Sequence, residues 1–171
     1  MTKSARFARP LVLALLACFS GVIAPAQGDD KNYTDIPLAQ VPRPVIQAVQ
    51  KKFPDAQPQS ASRGIEENKP YFDVYIKVKG QNIWVTCNPQ GAILTIDREI
   101  VAKDLPKPVA TAFAKKYPKA AIRMVNEVTE DNYSTYDIAI TLNNKPLVAI
   151  FAADGKFLEE LEDDEPAPAS K

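Results

Sequence analysis

The sequence predicts an α+β protein of two tandem α-β4 repeats, each a helix packed on a four-stranded antiparallel sheet. Three observations carry that expectation: a gapless internal repeat, an apolar helical stripe in each copy, and a strictly alternating strand downstream of each stripe.

The repeat has an offset of sixty-four residues. Val41-Pro42-Arg43-Pro44-Val45 aligns with Leu105-Pro106-Lys107-Pro108-Val109, Lys51-Lys52-Phe53-Pro54 with Lys115-Lys116-Tyr117-Pro118, Phe72-Asp73-Val74 with Tyr136-Asp137-Ile138, and Gly91 with Gly155. Pro44 and Pro108 fall in a first helical turn, where proline is tolerated. Val45, Ala48, Val49 and Phe53 then follow the i, i+3, i+4, i+8 spacing of one helix face, as do Val109, Ala112, Phe113 and Tyr117. The paired lysines complement the helix dipole in the last turn and read as a solvated helix end rather than a binding patch. Pro54 and Pro118 end the helices.

Strands follow each helix. Ala121–Thr129 is clear. Its counterpart Gln57–Ile65 carries Pro58 and Gly64, which points to a frayed or edge strand. Phe72, Val74, Ile76 and Val78 alternate with polar or aromatic neighbours, as do Tyr136, Ile138, Ile140 and Leu142, the pattern of a half-buried strand. Lys79-Gly80-Gln81 and Asn143-Asn144-Lys145 turn into third strands, Asn82–Cys87 and Pro146–Phe151. Asn88-Pro89-Gln90-Gly91 and Ala152-Ala153-Asp154-Gly155 turn into short fourth ones. A unit of this size is marginal alone, so the two either share a sheet or pack core to core.

The expected organisation is a signal peptide at 1–26, repeats at 36–100 and 101–161, and an acidic, then Pro/Ala-rich disordered tail at 162–171. Lys3, Arg6 and Arg9 precede the apolar run Leu11–Ile23, too short for a transmembrane helix, and Ala24-Pro25-Ala26 supplies small residues before a cut between Ala26 and Gln27. The rival is lipidation at Cys18, in the lipobox-like Leu15-Leu16-Ala17-Cys18; it would leave the apolar Phe19–Ile23 where a polar tether is usual. Either route exports the chain, to the periplasm or beyond, or to a membrane anchor through Cys18.

The whole chain has 21 basic and 21 acidic residues and no histidine. Without residues 1–26 the acids outnumber the bases by three, so nothing marks a nucleic-acid partner. Lacking histidine, the chain has no common neutral metal ligand and no obvious nucleophile–base pair. No catalytic, cofactor or metal residue is identified. Asp73 and Asp137, equivalent in the repeat, read as cross-strand partners of lysine. The acidic run from Glu159 lacks the spacing and glycine of a calcium loop. Cys87, alone once Cys18 is removed, reads as a buried small hydrophobe.

One constellation remains. If Phe72, Val74, Ile76, Ile83 and Val85 face the helix, then Tyr71, Asp73, Tyr75 and Trp84 share the other face, where the second copy offers Val148 and Ile150. Aromatic side chains on an open sheet are frequent protein-recognition anchors. The alternative is that the other copy or a homodimer covers them.

The string Leu-Pro-Lys-Pro-Val-x-x-Ala-Phe-x-Lys-Lys-Tyr-Pro-x-Ala at 105–120, with Tyr136-Asp137-Ile138 and Asp154-Gly155-Lys156-Phe157-Leu158, resembles the PepSY-like domains. These are small exported bacterial modules grouped by fold with the β-lactamase-inhibitor protein. Its motifs are structural, so the resemblance implies an α-β4 tandem with a sheet face able to receive another protein, and no active site. The sequence therefore points to an exported non-enzymatic module that binds an exported or envelope protein and inhibits a periplasmic or secreted enzyme. The alternatives are a homo-oligomeric envelope subunit and a weak cation binder. Intact mass of the exported chain is expected to place its first residue at Gln27; a lipidated Cys18 would reverse that assignment.

Overall fold

The computed structural model describes residues 33–163; the expected signal peptide, with Cys18, Ala26 and Gln27, and the tail beyond Asp163 lie outside them. In chain order the elements are β1 (Tyr33–Ile36), α1 (Arg43–Lys52), β2 (Pro58–Glu66), β3 (Lys69–Val78), β4 (Gln81–Cys87), β5 (Ile93–Ile100), α2 (Lys107–Lys116), β6 (Ala121–Glu130), β7 (Tyr133–Leu142), β8 (Lys145–Ala152) and β9 (Phe157–Glu162), with single 3-10 turns at Leu38–Gln40 and Ala102–Asp104.

The strands form one nine-stranded antiparallel sheet in sequence order. This overturns the expectation of two α-β4 repeats, each with a four-stranded sheet of its own. β5 pairs with β6, Thr95 opposite Glu130 through Ile100 opposite Val125, so no sheet edge falls between the halves. An isolated four-stranded meander would leave unpaired backbone groups on both outer strands, and this pairing satisfies one row from each half. β1 was not anticipated. It covers Ala61 to Gly64 of β2, so Pro58 and Gly64 lie in the second strand of the sheet rather than at its rim.

Four connections are two-residue turns with both residues left-handed: Glu67-Asn68, Lys79-Gly80, Asp131-Asn132 and Asn143-Asn144. Such turns match the twist of the strands they join, and asparagine or glycine at the second position lowers their steric cost. Asn88 and Asp154 cap the other two hairpins, their side-chain oxygens accepting from Gln90 and Ala92 backbone N–H groups and from the Lys156 N–H. Gly91 and Gly155 follow at φ +85° and +88°; a Cβ there would lie 2.5 Å from the Pro44 carbonyl oxygen and 2.6 Å from that of Pro108. The third-to-fourth-strand turn in each half thus seats the start of a helix.

Both helices lie on one face. The registers carry Val85 to Ile96 and Ile100 to Val125 to Ile138, so the side of β3 and β4 under α1 continues as the side of β7 and β8 under α2. Val45 and Val49 pack on Phe72, Val74, Ile76, Ile83, Val85 and Cys87; Val109 and Phe113 pack on Val125, Tyr136, Ile138, Ile140, Ala149 and Phe151. A polar seam divides these cores, where Arg98 reaches Glu127 at 3.5 Å and the Tyr136 hydroxyl donates to Glu127 at 3.1 Å. The last described residue, Asp163, is buried and ion-paired with Arg123, whose Nε–H donates to the Ile140 carbonyl at 3.3 Å.

Gly91→Ala and Gly155→Ala are each expected to cost more than about 1 kcal/mol in denaturant unfolding, since strain and backbone collision act together. Cys87 is wholly buried and its thiol is pushed up to about 11, first by burial and then by the charge of Asp73. It is expected to resist thiol reagents at neutral pH until the protein is unfolded.

Candidate protein-binding face

The face away from the helices carries the odd-numbered side chains of β3 and β7 and the even-numbered ones of β4 and β8. It therefore includes Tyr71, Asp73, Tyr75, Trp84, Val148 and Ile150. Because the sheet is continuous they belong to one surface, but they do not form one cluster. Trp84 lies opposite Asp97, Asp97 opposite Val128, Val128 opposite Thr135 and Thr135 opposite Ala152, so β5, β6 and β7 separate β4 from β8.

The carboxyl of Glu66, at the end of β2, is pushed up first by burial and then by repulsion from Glu67, Glu130 and Asp73. Glu130 ends β6, four strands away.

At the β3–β4 end Tyr75 and Trp84 are cross-strand partners with ring centroids 5.2 Å apart and planes tilted by 32°. The Tyr75 hydroxyl donates to Asn82 Oδ1 at 2.7 Å, and Asn82 Nδ2–H donates to Glu99 at 2.6 Å. This chain fixes the tyrosine ring beside the indole. The Tyr71 ring lies across Gly64, where a Cβ would sit 2.2 Å from the ring carbon bearing the hydroxyl. Asp73 accepts from the Thr86 hydroxyl at 2.5 Å. Its cross-strand neighbours are Ser62 and Thr86, and those of Asp137 are Asn126 and Ile150. The expectation of lysine directly across the strands is corrected: the register sets serine and threonine opposite Asp73, and asparagine and isoleucine opposite Asp137.

Tyr71, Asp73 and Tyr75 are half-buried, and Trp84 is 9% exposed. Towards β6–β8 the face closes: Val148 is 0% and Ile150 1% exposed, with Ala139, Ala152, Thr135 and Asp137 also buried. None of these belongs to the clusters beneath the helices. Asn126 is buried among them, and its side-chain oxygen accepts no hydrogen bond.

The face is also acid-rich. Asp73, Asp97, Glu99, Glu130, Asp137 and Glu159 project from its strands, against Lys69 and Lys77 on β3. Alternation along β4 alone could have placed Asn82 and Thr86 beside Trp84. Asp97, Glu99 and Asn126 needed the β5–β6 register, which no local pattern signals. Among the described residues no three Cys, Asp or Glu side chains are grouped to hold a metal ion, and no helix is long and apolar enough to cross a membrane.

No protein-family model matches the sequence, and no curated protein matches it. Solved structures do. A BLIP-like protein from Bacteroides fragilis superposes at TM-score 0.59 with 20% identity, covering 74% of this chain and 92% of its own. The fold is BLIP-like. A DUF2874 family protein from Bacteroides uniformis gives 0.62 at 17% identity, covering 71% of this chain and 88% of that one. A Bacteroides eggerthii protein described as periplasmic gives 0.63 at 16%, with the same coverage. None of these three descriptions names an enzyme. With no family model matching, the PepSY-like reading rests on the motifs of the sequence.

Proposed function

We propose that this chain is an exported, non-enzymatic protein-binding module that works through the face of its sheet away from the helices. The observation that carries the reading is the Tyr75–Trp84 pair, two large rings packed together on the side away from both helices and held by the Tyr75–Asn82–Glu99 hydrogen bonds. Rigid aromatic anchors of this kind supply contact area at low entropic cost and dominate many interfaces. Export rests on the basic and apolar residues before Ala26. The absence of histidine from the whole sequence favours a role without proton-transfer chemistry.

A finer reading is that the partner is a periplasmic or secreted enzyme, which the module inhibits. Its support is the likeness to a BLIP-like protein. The envelope-subunit reading predicts instead that a second copy covers the face.

The test is crosslinking capture from the native envelope with tagged mature protein, alongside Tyr75→Ala and Trp84→Ala. Each variant is expected to lose the captured partner; Trp84, 9% exposed, is expected to cost stability as well, so Tyr75→Ala, at a half-buried ring, is the variant expected to stay folded. Capture unchanged in a folded Tyr75→Ala protein would end the reading. A stable dimer by sedimentation, broken by the same variants, would favour the homo-oligomer.

A further inference from the structure

We infer that the cleft between the end of α1 and the start of β5 is a binding site for a small aromatic anion, its ring lying on Ile93 and its carboxylate between Lys51 and Lys52. The site is on the helix side of the sheet, away from Tyr75 and Trp84, and the inference does not depend on the protein-binding reading.

The internal repeat supplies the first argument. The two halves share a backbone here: Gly91 and Gly155 take equivalent turns at φ +85° and +88°, pressed against the carbonyls of Pro44 and Pro108. Cys87 pairs with Ile93 after a register shift, as Phe151 pairs with Phe157. The side chains differ. Under α2 the second half sets four rings, Tyr117, Phe113, Phe151 and Phe157, in a row with successive centroids 5.6 to 6.3 Å apart. Their counterparts sixty-four residues earlier are Phe53, Val49, Cys87 and Ile93. Three of the four rings are lost, and Val85 against Ala149 returns little of that volume.

The second argument is the space left behind. Missing side-chain volume closes only in part, because the surrounding structure relaxes incompletely. In the first half a cleft of about 370 Å³ opens to solvent, lined by Ala48, Lys51, Lys52, Gly91 and Ile93. Small-ligand sites span roughly 300–1,000 Å³, so the cleft admits a ligand of one ring and a short tether. Its floor is apolar and its rim carries two ammonium groups.

The third is what the lysines meet. In the second half Lys116 Nζ lies 3.9 Å from the centroid of the Phe157 ring, a cation–π contact. Lys52 is its counterpart, and Ile93 offers it no ring. Among the described residues neither Lys51 nor Lys52 is ion-paired. A ligand ring laid on Ile93 takes the place that Phe157 has beneath its lysine, and a tethered carboxylate meets the ammonium groups at the rim. A neutral aromatic makes only the first contact, and an aliphatic acid only the second.

The experiment follows the amide resonances of the isotope-labelled mature protein during titration with phenylpropanoate, with phenylpropanamide and cyclohexylpropanoate as comparisons. Phenylpropanoate is expected to shift the signals of Ala48, Gly91 and Ile93 saturably, at roughly millimolar concentration for so small a ligand. The amide is expected to bind about threefold or more weakly, as loss of an exposed ion pair requires. The cyclohexyl acid is expected to bind about two- to fivefold more weakly, the size of an exposed cation–π contact. Ile93→Phe, which restores the packing of the second half, is expected to stay folded and lose the response. Lys51→Gln combined with Lys52→Gln, at two exposed positions, is expected to weaken binding about threefold or more with the thermal midpoint unchanged.

Equal binding of either comparison compound overturns the inference, as does an unchanged response in folded Ile93→Phe. No saturable shift at these residues overturns it too. If Ile93→Phe unfolds, the lysine variant decides alone, and full binding there ends the inference.

Discussion

The structure depends on the pairing of β5 with β6. Six consecutive residue pairs, from Thr95 with Glu130 to Ile100 with Val125, turn two short meanders into one sheet. Without them each half would be a helix on a few strands, with too little buried surface to be secure and an open edge facing the other. With them, the strand alternation of the first half continues in phase through the second. Both helices therefore reach the same side, and the strand side chains that point away from them share one surface.

That phase relation explains the two cores. α1 and α2 each bring two buried apolar side chains to the sheet, and the strands beneath answer with Val, Ile, Phe and Cys. Where the halves meet, the sequence places Arg98 and Glu127 on the helix side, part-exposed at 38% and 26%. Such a pair contributes little to stability. Its effect is to keep the seam polar, so the two helices remain on separate cores instead of merging into one.

Much of this was legible in the residues, and what was missed has a common cause. The helices begin and end at their prolines and lysine pairs, and the alternation of Phe72 to Val78 and of Tyr136 to Leu142 correctly marked strands and their faces, because periodicity is a local property. Sheet continuity is not local. Nothing in Thr95-Ile96-Asp97 announces that Glu130-Thr129-Val128 will lie beside it, so a shared sheet and core-to-core packing stood as open alternatives, and the acid-rich character of the face away from the helices went unread. β1 was passed over because four residues, Tyr-Thr-Asp-Ile, are too few for a pattern. The aspartates were assigned lysine neighbours on general cross-strand preference, and the actual register gave them serine, threonine, asparagine and isoleucine instead.

Each strand of this sheet pairs with the strands that precede and follow it in the chain, from β1 to β9. The consequence is kinetic. Most closures are hairpins, two of the eight span a helix, and none requires a distant segment to wait for another. Folding rates fall as contacts become less local, so this topology avoids the slow step that most large sheets face. A chain delivered from its N-terminus can zip up strand by strand behind the point of delivery. At every stage the growing edge is the template for the next strand, and β9 closes the series, with Asp163 just beyond it paired to Arg123.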